Sequence, residues 1–277
     1  MNRRKGKGSP SPKVGSRAPA SRGPAKTDKP GPTAGLFHLY GRKPILEALR
    51  LGLVQNVELT RRAHGQTITA IREQAERQRV PISMMDSFPV EEGLTVQGVR
   101  ALARPPVMRY DIRDFLASLP DSPPPLIAML DGVTDPQNLG AILRSAEAAA
   151  VSAVVIRERR QAGITEAVVK ASAGAAYLVP VFQVVNLSQA ARMARESGFW
   201  VVATAAEPKA LSYRSYHWNG KTLLILGSEG MGVSALLRRD CDVVVSIPIF
   251  GSMDSLNVSV AAGILFFEAA RGRGLIE

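Results

Sequence analysis

The sequence contains very little cysteine, little aromatic character and no long apolar run. Cys241 is the only cysteine among 277 residues, which excludes an intrachain disulfide or a Cys-x-x-Cys metal site and suits a reducing compartment. The histidines, His38, His64 and His217, are too scattered to indicate a metal site. No apolar run reaches the roughly 18 residues of a membrane helix, and no apolar segment follows the N-terminal charges. We therefore expect a cytoplasmic protein that binds neither a metal nor a membrane.

Acidic residues are scarce in one part of the chain only. Residues 1–35 contain nine lysines and arginines and a single acid, Asp28, whereas the remaining chain has 26 basic and 23 acidic residues. The segment is otherwise rich in Pro, Gly, Ser and Ala, so it cannot bury enough apolar surface to fold alone. The composition predicts a disordered basic tail. It either adds salt-dependent affinity for a phosphate polymer or serves only as a solubilising extension.

The rest of the chain divides into two α/β segments. Residues 36–104 alternate short strand and helix patterns, which indicates a small α/β domain. Residues 105–125 contain six prolines around one helical pattern and are predicted to be a linker. Residues 126–277 alternate strands and helices, and several strands are continuous apolar runs, which predict a parallel sheet covered on both faces. The predicted strands are 126–130, 153–156, 178–185, 200–204, 222–226 and 243–246.

Ligands of parallel sheets bind beyond the carboxyl ends of the strands, so the loops after the strands are candidate sites. After the first strand of the second domain, Asn138 can cap a helix on which Arg144 is the one cation. An arginine on a mostly apolar helix favours an anionic partner. That partner is either Glu147 or Asp131 in the chain itself, or a phosphate of a ligand.

Two further loops have an unusual composition. GSEGMGVS, residues 227–234, is rich in glycine, which lets the backbone approach a ligand, but Glu229 within it would repel a phosphate. This loop favours a neutral or positively charged cofactor. IPIFGSMDSLNVSVA, residues 247–261, leads into an apolar, buried helix that Asp254 or Ser255 is expected to cap. Asn257 and Ser259 at its start need partners, which are either a ligand or the backbone of the first helical turn.

The three loops together resemble the three motifs of the SpoU (SPOUT) RNA ribose 2′-O-methyltransferases. The motifs are N-x5-R from Asn138 to Arg144, LGSEGMG, and IPIFGSMDSLNVSVA, in that order. In the first domain, HLYGRKPILEAL and QGVRALA resemble the substrate-binding domain of the bacterial 23S rRNA guanosine-2′-O-methyltransferases. The resemblance covers about residues 36–271. One departure is Val96, where the family often has His before Gln-Gly, and it weakens any inference about the nucleotide that is recognised.

The resemblance implies a fold, a cofactor and a set of catalytic residues. The fold is an α/β-knot (SPOUT trefoil-knot) methyltransferase domain at 126–277, with a small N-terminal α/β RNA-binding domain at 36–104 and a disordered basic tail at 1–35. The cofactor is S-adenosylmethionine, expected beside Thr204, Gly227, Ile247, Ser255 and Leu256. Catalytic roles are implied for Arg144, Asn138, Glu229, Ser255 and Asn257. Because a guanidinium is a poor base, we expect Arg144 to pair with an RNA phosphate and to stabilise the developing alkoxide.

The resemblance also implies a homodimer and an RNA substrate. Phe250, Phe266 and Phe267 would then face a partner subunit or belong to the ordinary core. The expected substrate is a guanosine of 23S rRNA, with tRNA as the alternative. A catalytically inert RNA- or ribosome-binding protein of the same fold is a second alternative, which the intact site residues disfavour. A nicotinamide-dependent oxidoreductase would need GxGxxG after an early strand, and the loop after Leu130 lacks it.

Overall fold

A computed structural model describes Met1 and residues 35–88, 97–207 and 209–276. Nearly all of the predicted basic tail, and Val96, lie outside these residues. Within the described residues the chain forms a four-stranded and an eight-stranded sheet. No helix in this part of the chain is both long and apolar enough to cross a membrane.

The small sheet is formed by the segment predicted as the first domain. Its strand order is β1-β4-β2-β3, with β4 antiparallel to both of its neighbours and β3 parallel to β2. Helices α1 and α2 pack against each other and bury their apolar sides, as the helical spacing predicted. The elements are β1 Phe37–Tyr40, α1 Arg42–Arg50, β2 Val54–Thr60, α2 Gln66–Arg77, β3 Ile82–Met85 and β4 Val99–Ala103.

The large sheet confirms the predicted parallel architecture. Its order is β10-β12-β9-β11-β6-β7-β8-β5, and every neighbouring pair is parallel. Both faces are covered, because alternate residues of β6 belong to two separate apolar clusters. The strands are β5 Met108–Arg109, β6 Leu126–Asp131, β7 Ala153–Arg157, β8 Val181–Val184, β9 Trp200–Thr204, β10 Leu211–Ser212, β11 Thr222–Gly227 and β12 Val243–Ser246. The helices are α3 Arg113–Ser118, α4 Pro136–Ala148, α5 Glu166–Ala171, α6 Leu187–Glu196, α7 Ala235–Arg239 and α8 Val258–Gly272, with a 3₁₀ turn at Ala175–Tyr177.

The proline-rich connection at 105–125 is packed onto the large sheet. Strand β5 adds to its edge beside β8, and α3 lies against α6. Ile112 and Leu116 are buried in one of the two apolar clusters. The segment predicted as a linker therefore forms secondary structure that packs on the large sheet. Its proline content does not predict this packing, because the packing depends on a few apolar residues and on the tertiary surface that buries them.

The small sheet contacts the large one through α5 and the 3₁₀ turn. The Tyr177 hydroxyl donates a hydrogen bond of 3.0 Å to the Arg104 carbonyl, and burial raises the pKa of this phenol. A Cβ atom at Gly174, whose φ is +93°, would lie 3.0 Å from the Cα atom of Pro44. Pro44 lies in α1 and Gly174 directly precedes the 3₁₀ turn, so this close backbone contact holds the small sheet against that turn.

Candidate active site

Three loops at the carboxyl edge of the large sheet border one cleft of about 520 Å³. That volume lies in the range of small-molecule sites. The lining comes from the residues after β9, β11 and β12 and from the adjoining sides of α7 and α8. All five residues predicted to contact a cofactor line the cleft, namely Thr204, Gly227, Ile247, Ser255 and Leu256. The edge of the sheet where ligands were expected is therefore the edge where the cleft lies.

The glycine-rich loop after β11 folds back on its own first residue. The Gly232 amide donates to the Ser228 carbonyl at 2.9 Å. A Cβ atom at Gly227 would lie 2.0 Å from the carbonyl carbon of Gly232. The loop itself therefore excludes a side chain at Gly227. Glycine was predicted here for a different reason, namely that it lets a ligand approach the backbone. The tight turn leaves Glu229 exposed on the rim of the cleft.

Side chains from the three motif loops meet in one hydrogen-bonded group. Asn257 Nδ2 donates to Glu229 Oε1 at 2.5 Å and to Asn138 Oδ1 at 2.9 Å. Asn138 Nδ2 donates to the same Glu229 oxygen at 3.3 Å. These residues are separated by up to 119 positions in the chain, so the sheet topology is what brings them together. We refer to Asn138, Glu229 and Asn257 as the polar triad.

Asn257 also caps α8, and the predicted caps Asp254 and Ser255 were wrong. Asn257 Oδ1 accepts hydrogen bonds from the amides of Ser259 and Val260 at 2.9 and 3.3 Å, and from the Ser259 hydroxyl at 2.6 Å. Residues 254–256 line the cleft instead. The backbone explanation for Asn257 is confirmed by these bonds, whereas its nitrogen is bound by Glu229 and Asn138 of the same chain.

Arg144 lies on α4 but is not part of the polar triad. It follows Asn138 by six residues, which on a helix places it about 9 Å along the axis and about 120° around it. Its side chain is exposed, and no ion pair joins it to another described residue. Of its predicted partners, neither Glu147 nor Asp131 forms an ion pair with it among the described residues, and Asp131 binds Arg157 Nη2 at 3.3 Å instead. The guanidinium is thus open to a partner outside the described chain.

The charged lining of the cleft is predominantly acidic. Glu207, Glu229 and Asp254 contribute carboxylates, and Arg238 is the only cation of the lining. Arg238 forms an ion pair with Glu207, so one carboxylate is neutralised locally. The remaining field favours a ligand that carries positive charge. The Glu207–Arg238 pair was missed at the sequence level, although the position of Glu207 just after β9 follows the rule for parallel sheets.

The helix that follows the polar triad has one buried and one open side. Phe266 is fully buried in the core of its own chain, which is the second of the two placements predicted for it. Phe267 and Val260 are 45% and 51% exposed, and Phe250 in the preceding loop is 97% exposed. The apolar character on every face of α8 therefore reflects both a core side and an uncovered apolar side.

No group of three or more metal-binding side chains is found among residues 35–88, 97–207 and 209–276. The polar atoms of the site are two amides, a carboxylate and the backbone of tight loops. Such a set orients a hydroxyl or a charged cofactor by hydrogen bonds.

Comparison with known proteins identifies the family. A sequence profile of the SpoU rRNA Methylase family matches residues 125–267. The 23S rRNA (guanosine-2′-O-)-methyltransferase RlmB of Escherichia coli (strain K12) is 44% identical over 184 residues, which are 66% of this chain and 74% of that protein. The protein of the same name from Ralstonia nicotianae is 43% identical over 180 residues, 65% of this chain and 71% of that protein.

A solved structure extends the similarity beyond the profile match. The SpoU methyltransferase AviRb from Streptomyces viridochromogenes, in complex with the cofactor AdoMet, has a TM-score of 0.71 and 27% identity. The match covers 88% of this chain and 92% of AviRb, so it includes residues well beyond 125–267. The chain belongs to the SpoU rRNA methylase family.

Proposed function

We propose that this protein transfers a methyl group from S-adenosylmethionine to the ribose 2′-hydroxyl of a guanosine in 23S rRNA. The polar triad beside the acidic cleft is the observation that carries the proposal. Three loops that share the motifs of the family meet there through direct hydrogen bonds. The names of the two RlmB relatives support the substrate, since both are 23S rRNA guanosine-2′-O-methyltransferases at more than 40% identity.

The cleft fits S-adenosylmethionine in size and charge. The cofactor supplies a methyl group on a positively charged sulfur, and AviRb binds it in a related fold. Glu229 and Asp254 provide uncompensated carboxylates, which favour a cation over a phosphate. The residues that would hold the cofactor are Thr204, Gly227, Ile247, Ser255 and Leu256.

In this proposal the polar triad positions the accepting ribose. Glu229 Oε1 accepts from Asn257 Nδ2, Asn138 Nδ2 and, at 3.4 Å, the Val258 amide. These donors fix the orientation of the carboxylate and leave its second oxygen to accept a hydrogen bond from RNA. Alignment of a hydroxyl with a methyl donor removes much of the entropic barrier to an in-line displacement. Ser255, exposed in the cleft lining, would contribute a further hydroxyl to the same positioning.

Arg144 is assigned to charge stabilisation. A guanidinium remains protonated under all physiological conditions, so it cannot take the 2′-hydroxyl proton. Its exposed fork suits a bidentate contact with an RNA phosphate, which would place positive charge near the developing alkoxide. The proton then leaves to a water molecule or a phosphate oxygen.

A homodimer is supported by the open side of α8. Val260 and Phe267 lie seven residues apart on one side of the helix, and both are about half exposed. Helix α4, which carries Arg144, packs along α8. A partner subunit bound to this side would cover Val260 and Phe267 and would lie close to Arg144. Phe267→Glu would then yield a monomer in sedimentation experiments, whereas an unchanged dimer would place the interface elsewhere.

Family membership also supports the remaining architecture. Strand β12 lies between β9 and β10, and the chain then passes along the cleft to α8, which contacts α4 and β11. This course is compatible with the α/β-knot proposed for residues 126–277. We assign residues 36–104 to RNA binding, residues 105–125 to the connection between domains, and the basic tail at 1–35 to additional phosphate affinity. A 23S rRNA substrate implies action in the cytoplasm.

The test uses RNA that this protein has never modified. Purified protein and S-adenosylmethionine with a labelled methyl group are incubated with 23S rRNA or tRNA from a strain that lacks the gene. We expect label in 23S rRNA and its recovery as 2′-O-methylguanosine after digestion. Label in tRNA alone would replace the proposed substrate. Cofactor binding in calorimetry without transfer to either RNA would favour the catalytically inert RNA-binding protein.

A further inference from the structure

The loop after β7 lies at the same edge of the sheet as the polar triad. Arg157, the last residue of β7, binds Asp131, the last residue of the neighbouring strand β6. Asp131 is in turn the register partner of Gly227 on β11. Since neighbouring strands are about 4.8 Å apart, Arg157 begins roughly 10 Å from the cleft edge at Gly227.

This loop contains donors that lack acceptors. Arg157 Nε and Gln161 Nε2 are buried and have no hydrogen-bond partner within the described structure. The Gln161 oxygen is already used, because it accepts from the Arg157 amide at 2.9 Å. The second oxygen of Asp131 is also used, by the Ser234 amide at 2.9 Å. Buried donors are nearly always satisfied in folded proteins, and here they leave the loop with more donors than acceptors, a balance that suits an anion.

Two further cations extend the same loop. Arg159 and Arg160 are exposed, and neither forms an ion pair with any residue that the structure describes. Glu158 is the single acid between β7 and Thr165, the cap of α5. Arg160 has a φ of +60°, a conformation that residues other than glycine adopt rarely and that is common in functional loops.

We propose that Arg157, Arg159, Arg160 and Gln161 form a binding site for an RNA backbone phosphate close to the methylated nucleotide. The proposal rests on the function proposed above. The planar guanidinium group of arginine matches the oxygen atoms of a phosphate. The Arg157 side chain is 38% exposed, so its accessible part can add to such a contact. A span of roughly 10 Å equals about three nucleotide rises of 3.4 Å. The bound phosphate therefore lies within about three nucleotides of the ribose at the polar triad.

The expected effect follows from counterion release. Each phosphate contact contributes about 0.7 to 0.9 to the slope of log affinity against log salt. Between 1 M and 0.1 M salt, each contact therefore raises the affinity for RNA roughly fivefold to eightfold. Replacing Arg159 and Arg160 by alanine removes the contact to this one phosphate, so it should weaken RNA binding about fivefold to eightfold at 0.1 M salt and lower the slope by about 0.7 to 0.9.

A matched control separates the loop from the general charge of the protein. Arg113→Ala/Arg192→Ala removes two exposed arginines from α3 and α6, which pack together. This control changes the net charge by the same amount at another surface. Gln161→Glu is a second test variant, because it keeps the oxygen that binds the Arg157 amide and replaces the unpartnered donor by a carboxylate.

The experiment measures binding of the full-length protein to unmethylated 23S rRNA by filter retention at several salt concentrations. We expect weaker binding and a reduced salt slope for Arg159→Ala/Arg160→Ala, weaker binding for Gln161→Glu, and unchanged calorimetric affinity for S-adenosylmethionine. Wild-type affinity and slope in both test variants, or an equal loss in the control, would overturn the phosphate site. Failure of the proposed function is a separate result, because wild-type protein would then transfer no methyl group to this RNA.

Discussion

Asn257 offers the sharpest test, because one side chain has two separable tasks. Its oxygen caps α8 and its nitrogen holds Glu229 and Asn138. Asn257→Ala removes both tasks. Asn257→Asp keeps an oxygen for the cap and removes the donor, and it places a second carboxylate beside Glu229. Comparing the two variants therefore distinguishes stability of the helix from organisation of the site.

The magnitudes follow from the contacts. Loss of an asparagine N-cap costs about 1 kcal/mol. The hydrogen bonds of the amide nitrogen add about 1 kcal/mol, at the low end of the usual range because Asn257 and Glu229 are exposed. A total of about 2 kcal/mol lowers the thermal midpoint by roughly 4 to 8 °C. Asn257→Asp should lose about half as much, since its carboxylate suits a helix N-terminus.

The assay pairs thermal unfolding with methyl transfer under single-turnover conditions. We expect both variants to lose at least about tenfold in transfer rate. A misalignment of the acceptor that raises the activation free energy by about 1.4 kcal/mol already has that effect. Asn257→Asp would lose activity out of proportion to its stability. If Asn257→Asp transferred methyl groups at the wild-type rate, the donor nitrogen would have no part in positioning the substrate.

Three further predictions concern other parts of the molecule. Gly227→Ala should weaken S-adenosylmethionine binding at least about tenfold in calorimetry, because the Cβ atom meets the backbone of the loop, whereas Gly163→Ala, with open space around it, should bind normally. Arg144→Lys should lower turnover at least about tenfold with unchanged cofactor affinity, since lysine lacks the planar fork, and near wild-type turnover would contradict its role. Tyr177→Phe should cost about 1 kcal/mol at neutral pH through the lost hydrogen bond to Arg104. Because burial raises the pKa of Tyr177 above its ordinary value of 10.0, wild-type stability should fall as the pH rises beyond that value, and urea unfolding should show a smaller fall for the phenylalanine variant.

The sheet and the cleft were largely predictable because they depend on strong local signals. Strands β6 and β11 are nearly continuous apolar runs bounded by turn residues, and such runs are typical of a sheet covered on both faces. The rule that ligands bind beyond the carboxyl ends then points to the loops that form the cleft. Gly227 and Glu229 stand in those loops, so their neighbourhood was predictable even though the reason for the glycine was not.

Other features depend on tertiary contacts that no local pattern reveals. Asp254, Ser255 and Asn257 are all good N-cap residues, and only the course of the loop along the cleft selects Asn257. Strands β5 and β10 have two residues each and exist because a neighbouring edge accepts them. The Glu207–Arg238 ion pair joins positions 31 residues apart and belongs to no motif.

The most direct test of the central claim is the chemical position of the transferred methyl group. Unmethylated 23S rRNA is treated with the protein and S-adenosylmethionine, and the product is analysed by nucleoside mass spectrometry and by alkaline hydrolysis. Methylation of a ribose 2′-hydroxyl blocks cleavage of the adjacent phosphodiester, so we predict 2′-O-methylguanosine and one alkali-resistant linkage. A methyl group on a base, with every linkage still cleaved, would contradict delivery to a sugar oxygen at the polar triad.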